Sequence, residues 1–226
     1  MYVHAAHVAE SSVNTSTSGL LKCASVIKKI RENTENIILV DCGDLFQGAA
    51  ESSMNHGRLM ARAVKLLRYD CLVTGNHEFD WGLECLEELY NIVQTPVLAA
   101  DIRALKPEIS SEFIPFLIKD IQGVKVALIG ISNPNIPNWS LPELIESTKF
   151  DDSVETLKRV IPEVRERGAD IIVALVHQGY IAYGDNMANR INAIARRFPD
   201  IDVIMGAHIH RPVEMEMVNN VLYTQA

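Results

Sequence analysis

Four short polar clusters in this chain carry side chain types that bind divalent metal ions in proteins. Asp44 lies in the first cluster, Asn76 in the second and His177 in the third, while His208 and His210 share the fourth. Carboxylate, amide and imidazole donors suit manganese, zinc, iron and cobalt about equally well. The residue types therefore predict a site that binds divalent cations.

Each polar cluster directly follows a short apolar run that is rich in β-branched residues. Such runs are too short for most helices and are typical of buried strands, here 37–40, 71–73, 171–176 and 203–205. In open α/β sheets, functional side chains collect at the carboxyl ends of the strands. We therefore expect the ligand atoms of the four clusters to gather at these strand ends.

The spacing within the clusters indicates how the donors are used. Asp44 follows Gly43, and a glycine allows the sharp turn that frees the next side chain to bridge two ions. Asn76 follows Gly75 in the same way and offers an amide oxygen. The two histidines of the fourth cluster, His208 and His210, are two residues apart, which on an extended segment places both rings on one face.

His77 has a different expected role because it is adjacent to Asn76 and should point toward a substrate rather than an ion. Asp80 lies three residues later and could fix the tautomer and charge of this imidazole. Taken singly, each cluster has an ordinary structural explanation as a turn or a helix cap. Their joint occurrence at four strand ends favours one shared site.

Composition limits the possible partners. The chain has 226 residues, 48% of them hydrophobic and 22% charged, which suits one large domain or two small ones. A net charge of −8 without a basic run disfavours a nucleic acid polymer as partner, so a phosphate substrate would have to be held locally by metal. No apolar stretch approaches the ~20 residues of a membrane helix.

The four cysteines show no paired spacing, and we expect four free, buried thiols. An alternative concerns Cys42, which lies two residues before Asp44 and could be a soft metal ligand if the strand end were kinked. Without a signal peptide the chain as written is expected to be cytoplasmic, whereas a longer native N-terminus would allow a periplasmic or extracellular location.

The order of elements predicts an α/β fold. Helices at 20–31, 58–67 and 83–93 alternate with strands at 36–40, 71–73 and 96–100, which calls for parallel pairing. Hairpins are expected at 113–132 and at 213–224, so mixed sheets are predicted. Further helices are expected at 152–167 and 184–197. The proline- and asparagine-rich stretch 133–150 is predicted to be an irregular loop, in which Trp139 is either a loop anchor, the favoured reading, or a substrate-facing aromatic.

Three of the clusters resemble the motifs of the calcineurin-like metallophosphoesterases, specifically the branch of 5′-nucleotidases and 2′,3′-cyclic-nucleotide phosphodiesterases. The matching runs are Gly43-Asp44-Leu45-Phe46-Gln47-Gly48, Gly75-Asn76-His77-Glu78-Phe79-Asp80 and Gly206-Ala207-His208-Ile209-His210. The resemblance implies a four-layer α/β/β/α sandwich with two divalent metal ions. It also implies that Asp44 bridges the two ions. One ion would be bound in addition by Asn76, His177 and His208, and the other by His210. His77 and Asp80 would form a catalytic dyad.

Two departures from the family pattern matter. Family members begin with a strand that ends in Asp-x-His, and no such motif precedes Leu20 here, so one ion alone is an alternative to two. His4 and His7 are possible substitutes for the missing ligands. We expect residues 1–226 to form a single catalytic domain that is truncated at its N-terminus and lacks the C-terminal nucleotide-specificity domain of the family.

The main hypothesis is metal-dependent hydrolysis of a small phosphate ester, most simply a nucleotide, in which a metal-bound hydroxide attacks phosphorus in line. One alternative is a catalytically impaired fragment or binding module with an incomplete metal site. A further alternative is a hydrolase of UDP-sugars or sulfur esters on the same scaffold. The sequence leaves the oligomeric state open.

Overall fold

The computed structural model describes residues 19–104 and 113–225. Within them, one sheet has four parallel strands in the order β1-β2-β3-β5. Its strands are β1 (Val40–Asp41), β2 (Cys71–Val73), β3 (Val97–Leu98) and β5 (Phe113–Ile114). The first two polar clusters follow β1 and β2, so the parallel pairing brings both to the same end of this sheet.

A second sheet has six strands in the order β11-β12-β10-β9-β7-β6. These strands are β6 (Phe116–Ile121), β7 (Val124–Ile131), β9 (Ile171–Val176), β10 (Val203–Gly206), β11 (Val213–Val218) and β12 (Val221–Gln225). The pairs β6–β7 and β11–β12 are antiparallel hairpins and the other pairs are parallel. Both predicted hairpins are present and this sheet is mixed as expected, but the first hairpin begins at Phe116 because Phe113–Ile114 pair with β3 in the other sheet. The strands β4 (Ile102–Ala104) and β8 (Thr148–Phe150) form a separate antiparallel pair.

Helices cover the outer faces of the two large sheets. They are α1 (Leu20–Asn33), α2 (Ala50–Asn55), α3 (Arg58–Leu67), α4 (Gly82–Val93), α5 (Pro142–Ile145), α6 (Ser153–Glu166) and α7 (Ile191–Arg197). No helix in the described ranges has both the length and the apolar character needed to cross a membrane.

Three apolar clusters show how the layers stack. One joins α3 and α4 to the outer face of the four-stranded sheet. The second lies between the sheets, where Val73 and Leu98 meet Leu128 and Leu175. The third joins the far face of the six-stranded sheet to α6 and α7. Because successive side chains point to opposite faces of a strand, β7 and β9 contribute side chains to both the second and the third cluster. The order of layers is therefore α/β/β/α.

Two predicted strands are shorter than expected. The strand expected at 36–40 is reduced to Val40–Asp41, because the carboxylate of Asp70 accepts the N–H of Leu39 at 2.7 Å in place of a strand neighbour. The backbone N–H of Asp70 in turn donates to the carbonyl of Leu39, also at 2.7 Å. The strand expected at 96–100 is reduced to Val97–Leu98.

The helix predicted at 184–197 is wrong over its first half, since α7 begins only at Ile191. Gly184 has a φ of 141°, and the carboxylate of Asp185 accepts the backbone N–H groups of Asn192 and Ala193. Asp185 thus caps the first turn of α7. Oδ1 of Asn186 accepts the N–H of Ala188 at 2.9 Å, and such local bonds compete with helix formation, which explains why residues 184–190 remain irregular.

The stretch 133–150 is more ordered than the predicted irregular loop, because it contains a 3-10 turn at Ile136–Asn138 together with α5 and β8. The four cysteines are free, as expected. Only Cys71 is fully buried, so the expectation of burial is wrong for Cys23, Cys42 and Cys85, which are partly exposed.

Candidate metal centre

The loops after β1 and β2 are in backbone contact. A Cβ atom on Gly43 would lie 2.5 Å from the backbone nitrogen of Gly75, and a Cβ on Gly75 would lie 2.4 Å from Oδ1 of Asp44. Gly43 and Asp44 have φ angles of 95° and 62°, so the chain turns sharply where the first strand ends. Only a glycine fits this approach, and the turn carries the Asp44 carboxylate beside the second loop.

Glu78 ties these two loops together. Its carboxylate is 2% exposed and accepts three backbone N–H groups at 2.7–2.8 Å, from Asp44, Leu45 and Gly75. Burial and the nearby Asp44 carboxylate raise the pKa of Glu78. Glu78 is part of the second motif, but no role was predicted for it from the sequence.

Three of the predicted donors converge at the strand ends. One ligand atom each from Asp44, His177 and His208 can be chosen so that all lie within 4.8 Å of one another. The amide oxygen of Asn76 lies 3.2 Å from Nε2 of His177, so this side chain also reaches the group. The structure thus brings together the donors that follow β1, β2, β9 and β10, and we refer to these four side chains as the donor group.

The donor group fits a cation on chemical grounds. Nδ1 of His177 must donate to the carbonyl of Cys42, 2.7 Å away, because a carbonyl only accepts. In the neutral ring, Nε2 then carries a lone pair. This atom lies 3.1 Å from Oδ2 of Asp44 and 3.2 Å from Oδ1 of Asn76. Three electron-rich atoms in contact call for a positive charge between them, supplied either by a proton on His177 or by a metal ion.

Burial and the charges of neighbouring donors shift the pKa values of Asp44, His177 and His208. Burial opposes ionisation of Asp44, but attraction to His177 and the N–H of His77 hold the pKa of this carboxyl below its usual range. Burial also opposes the charged form of His177, yet the Asp44 carboxylate outweighs it and raises the pKa of that imidazole. Burial and the neighbouring His177 lower the pKa of His208 to about 4, so the His208 ring is neutral at ordinary pH.

The fourth cluster is not extended as the sequence argument assumed. β10 ends at Gly206, and His208 and His210 have φ angles of 76° and 46°, in the left-handed region. Strand alternation therefore does not place the two rings on one face. Within the described residues His208 belongs to the donor group and His210 does not, although His210 is close enough to contribute to the lowered pKa of His208.

His77 and Asp80 form a pair at the edge of the donor group. Nδ1 of His77 lies 2.8 Å from Oδ2 of Asp80, and the His77 side chain is 41% exposed. The hydrogen bond to Asp80 raises the pKa of His77 to about 9, with a further contribution from Asp44. At neutral pH this imidazole is therefore positively charged in the metal-free protein. Its backbone N–H donates to Oδ1 of Asp44, which fixes the pair relative to the donors.

Trp139 lies against the donor group. Its ring stacks on that of His208, with centroids 5.1 Å apart and an angle of 26° between the planes. The Trp139 side chain remains exposed, at 46% of its full surface. A loop anchor was the role favoured for Trp139 from the sequence, and residue spacing could not reveal its contact with His208.

Asn133 is a further residue that the sequence argument missed. Its buried Nδ2 donates to the carbonyls of His177 at 3.1 Å and Ala188 at 2.9 Å, which holds the third cluster in place. Cys42 serves the site through its backbone carbonyl, while its thiol faces the carbonyl of Met205. His4 and His7, the suggested substitute ligands, lie outside the described residues.

A four-layer α/β/β/α sandwich with carboxylate and imidazole donors at its strand ends is the arrangement expected of metal-binding hydrolases that act on phosphate esters. The sequence profile of the calcineurin-like phosphoesterase family matches residues 18–212. The chain belongs to this family, as its motifs predicted. The family is one of divalent-metal-dependent hydrolases.

Individual relatives agree with this assignment. The chain is 32% identical over 215 residues to a 2′,3′-cyclic-nucleotide 2′-phosphodiesterase/3′-nucleotidase of Salmonella typhimurium, covering 87% of this chain and 33% of the relative. It is 30% identical over 194 residues to a 5′-nucleotidase of Rattus norvegicus, and this match covers 84% of the chain and 32% of the relative. The chain also superposes on a crystal structure from Staphylococcus aureus that carries a provisional 5′-nucleotidase assignment. The TM-score is 0.84 at 26% identity, and the match covers 96% of this chain and 45% of the other. The chain thus spans about a third of the length of these two curated relatives.

Proposed function

We propose that this chain hydrolyses the phosphate ester of small nucleotides in a reaction that depends on divalent metal ions. The observation that carries the proposal is the donor group of Asp44, Asn76, His177 and His208 beside the charged His77–Asp80 pair. The named activities of the relatives, all on nucleotides, support this substrate class. The family membership supports hydrolysis of a phosphate ester.

The donor group would hold one ion, and Asp44 and His210 would contribute to a second. When bound, divalent ions would lower the pKa of water and neutralise the phosphate oxygens. Asp44 is held ready for this role because Glu78 fixes its backbone and the N–H of His77 fixes Oδ1. These two hydrogen bonds would orient the Asp44 carboxylate before an ion binds.

His77 would act on the phosphoryl group directly. Because Nδ1 is occupied by Asp80, Nε2 is the nitrogen left for the substrate. The charged ring would stabilise negative charge on the transferring group and donate its proton to the leaving oxygen. Asp80 would keep the ring oriented and charged during this step.

The proposal is tested by measuring phosphate release and bound metal on the same preparation. We expect the purified chain to release phosphate from 5′-AMP in the presence of Mn²⁺, and to lose this activity after EDTA treatment until Mn²⁺ is restored. The Asp44→Asn variant should lose both bound metal and activity. Asp120→Asn, at the exposed β6–β7 turn, is the matched control and should retain both. Phosphate release that survives EDTA, or a protein that binds Mn²⁺ without hydrolysing any phosphate ester, would disprove the proposal.

The Asp80→Asn variant gives a prediction about pH. A reaction that needs the His77 imidazolium is active below the pKa of His77 and fades as the pH rises through it. Asp80 raises that pKa toward about 9, so removing the carboxylate moves the alkaline limb of the pH–rate profile to lower pH. Bound cations lower the pKa in both proteins and leave the direction unchanged. Profiles of kcat for wild type and variant, at equal metal content, provide the measurement, and an unshifted alkaline limb would contradict the assigned pair.

A further inference from the structure

The loop that carries His208 and His210 adopts a backbone conformation that needs support from the rest of the protein. Both histidines have φ angles in the left-handed region, 76° and 46°, which residues with a side chain adopt less readily than the right-handed region. Such conformations persist only where surrounding contacts hold them. The groups that hold this loop therefore help to determine whether His208 reaches the donor group.

Part of the support comes from the third cluster. The N–H of Ala207 donates to the carbonyl of Gln178 at 3.2 Å. The side chain of Ile209 packs so closely on Gly179 that a Cβ atom on this glycine would lie 2.4 Å from Cγ1 of Ile209. The loops after β9 and β10 are thus in direct contact.

A second support comes from β12, through two buried side chains. Tyr223 and Gln225 are two residues apart on this strand, so their side chains lie on the same face of the sheet. Oη of Tyr223 donates to Oε1 of Gln225 at 2.5 Å and accepts the N–H of Tyr180 at 3.1 Å. Nε2 of Gln225 donates to the carbonyl of Arg211 at 2.5 Å. We refer to the Tyr223 and Gln225 side chains with these hydrogen bonds as the β12 clamp.

The β12 clamp holds the fourth cluster near both of its ends. The amide of Gln225 bonds the backbone just after His210. At the other end, a Cβ atom on Gly206 would lie 2.4 Å from Oη of Tyr223, so the phenol packs on the backbone where β10 ends. His208 lies in the middle of the segment that is held in this way.

We propose that Tyr223 and Gln225 are positioning residues of the metal site, which hold the loop after β10 so that His208 can bind a metal ion. The inference rests on the proposed function, because it assumes that His208 is a ligand. The two side chains act through the backbone at Gly206 and Arg211 and not as ligands. Without the β12 clamp, the left-handed turn would relax and withdraw the His208 ring from the other donors.

The Tyr223→Phe variant tests the inference, because it removes the hydroxyl and keeps the ring. We expect the Kd for Mn²⁺ to rise by about 10-fold, the lower end of the effect that follows when groups holding a metal ligand are removed. Gln225→Met removes the amide and should act in the same direction. The double variant should lose less affinity than the product of the two single effects, because both side chains belong to one network. Calorimetric titration of the metal-free proteins with Mn²⁺ measures the Kd.

Thr224→Val is the matched control on the same strand. The Thr224 side chain is also buried, and its hydroxyl donates to the carbonyls of Val213 and Glu214 at 3.1 and 2.9 Å, on the β11 side and not in the loop after β10. Its loss should lower the urea midpoint about as much as Tyr223→Phe does and leave the Kd for Mn²⁺ unchanged. If both variants raised the Kd equally, or if Tyr223→Phe left it unchanged, the inference would be wrong.

A fluorescence measurement reports on His208 in the absence of metal. The chain has two tryptophans, so Trp81→Phe leaves Trp139, which stacks on His208 with ring centroids 5.1 Å apart, as the only indole. In this background, Tyr223→Phe should change the emission of the metal-free protein, whereas Thr224→Val should not. An unchanged emission in the Tyr223 variant would mean that His208 keeps its place without the clamp, which would overturn the inference.

These measurements separate the β12 clamp from the proposed hydrolysis. A wild type that binds Mn²⁺ but releases no phosphate would refute the hydrolysis, while the Kd values and the emission would still decide on the clamp. Release of phosphate from 5′-AMP by the wild type, together with equal Kd values for Tyr223→Phe and Thr224→Val, would refute the clamp alone.

Discussion

Replacing His77 by asparagine should lower kcat for 5′-AMP by about 10²- to 10⁴-fold while the bound Mn²⁺ stays the same, because a positioned acid or base contributes a factor of that size. His77 lies outside the donor group and is linked to it through its backbone N–H, which asparagine retains. The side chain amide can still donate a hydrogen bond, but it cannot carry the positive charge or transfer a proton. Steady-state kinetics together with elemental analysis provide the measurement.

The matched control is His56→Asn. His56 stacks on Trp81 and has a φ of 47°, a conformation that asparagine tolerates well. This variant should keep both its metal and its kcat. A His77 variant with undiminished kcat would remove this residue from the mechanism, and one that loses metal would mean that His77 is a ligand or a structural support instead.

Replacing Glu78 by glutamine should weaken both the fold and the metal site. The carboxylate accepts N–H groups from two loops, and an amide leaves at least one of those buried donors facing its own NH₂ group. An unsatisfied buried donor costs about 1–3 kcal/mol, so the free energy of unfolding should fall by about that much. Because the loops carry Asp44 and Asn76, the Kd for Mn²⁺ should rise as well. Urea unfolding and calorimetric titration measure the two effects.

Glu88→Gln is the control for this prediction. Glu88 forms an exposed ion pair with Arg58 on the helical face of the molecule, and surface pairs of this kind contribute little. Its urea midpoint and Mn²⁺ affinity should match those of the wild type. If the two variants had the same urea midpoint and the same Mn²⁺ affinity, Glu78 would not be what holds the loops after β1 and β2 together.

Much of the fold was predictable from the sequence, because buried strands appear as runs of β-branched residues and their ends as short polar or glycine-containing segments. The β-branched runs before Gly75 and His177 are strands in the structure, and parallel pairing sets each beside one other cluster-bearing strand, β2 beside β1 and β9 beside β10. The hairpin turns were equally clear, since Gln122-Gly123 and Asn219-Asn220 all adopt the positive φ angles that two-residue turns require.

The features that could not be predicted depend on contacts between distant parts of the chain. The helix expected from residue 184 begins only at Ile191, where the Asp185 carboxylate accepts the N–H groups of its first turn. His208 reaches the donor group from a left-handed backbone, which no periodicity of the sequence indicates. The stacking of Trp139 on His208 likewise joins loops about 70 residues apart, a contact that becomes visible only when both are placed.

The contact between Gly43 and Gly75 has a consequence for anyone who wishes to change the metal preference of this protein. A side chain at either position would collide with backbone or with Asp44 at 2.4–2.5 Å, so this wall of the site admits no variation in size. His208 and Trp139 stack on each other and are partly open to solvent. Libraries aimed at a different ion should therefore leave both glycines unchanged and vary the residues around His208 and Trp139, where side chains border solvent.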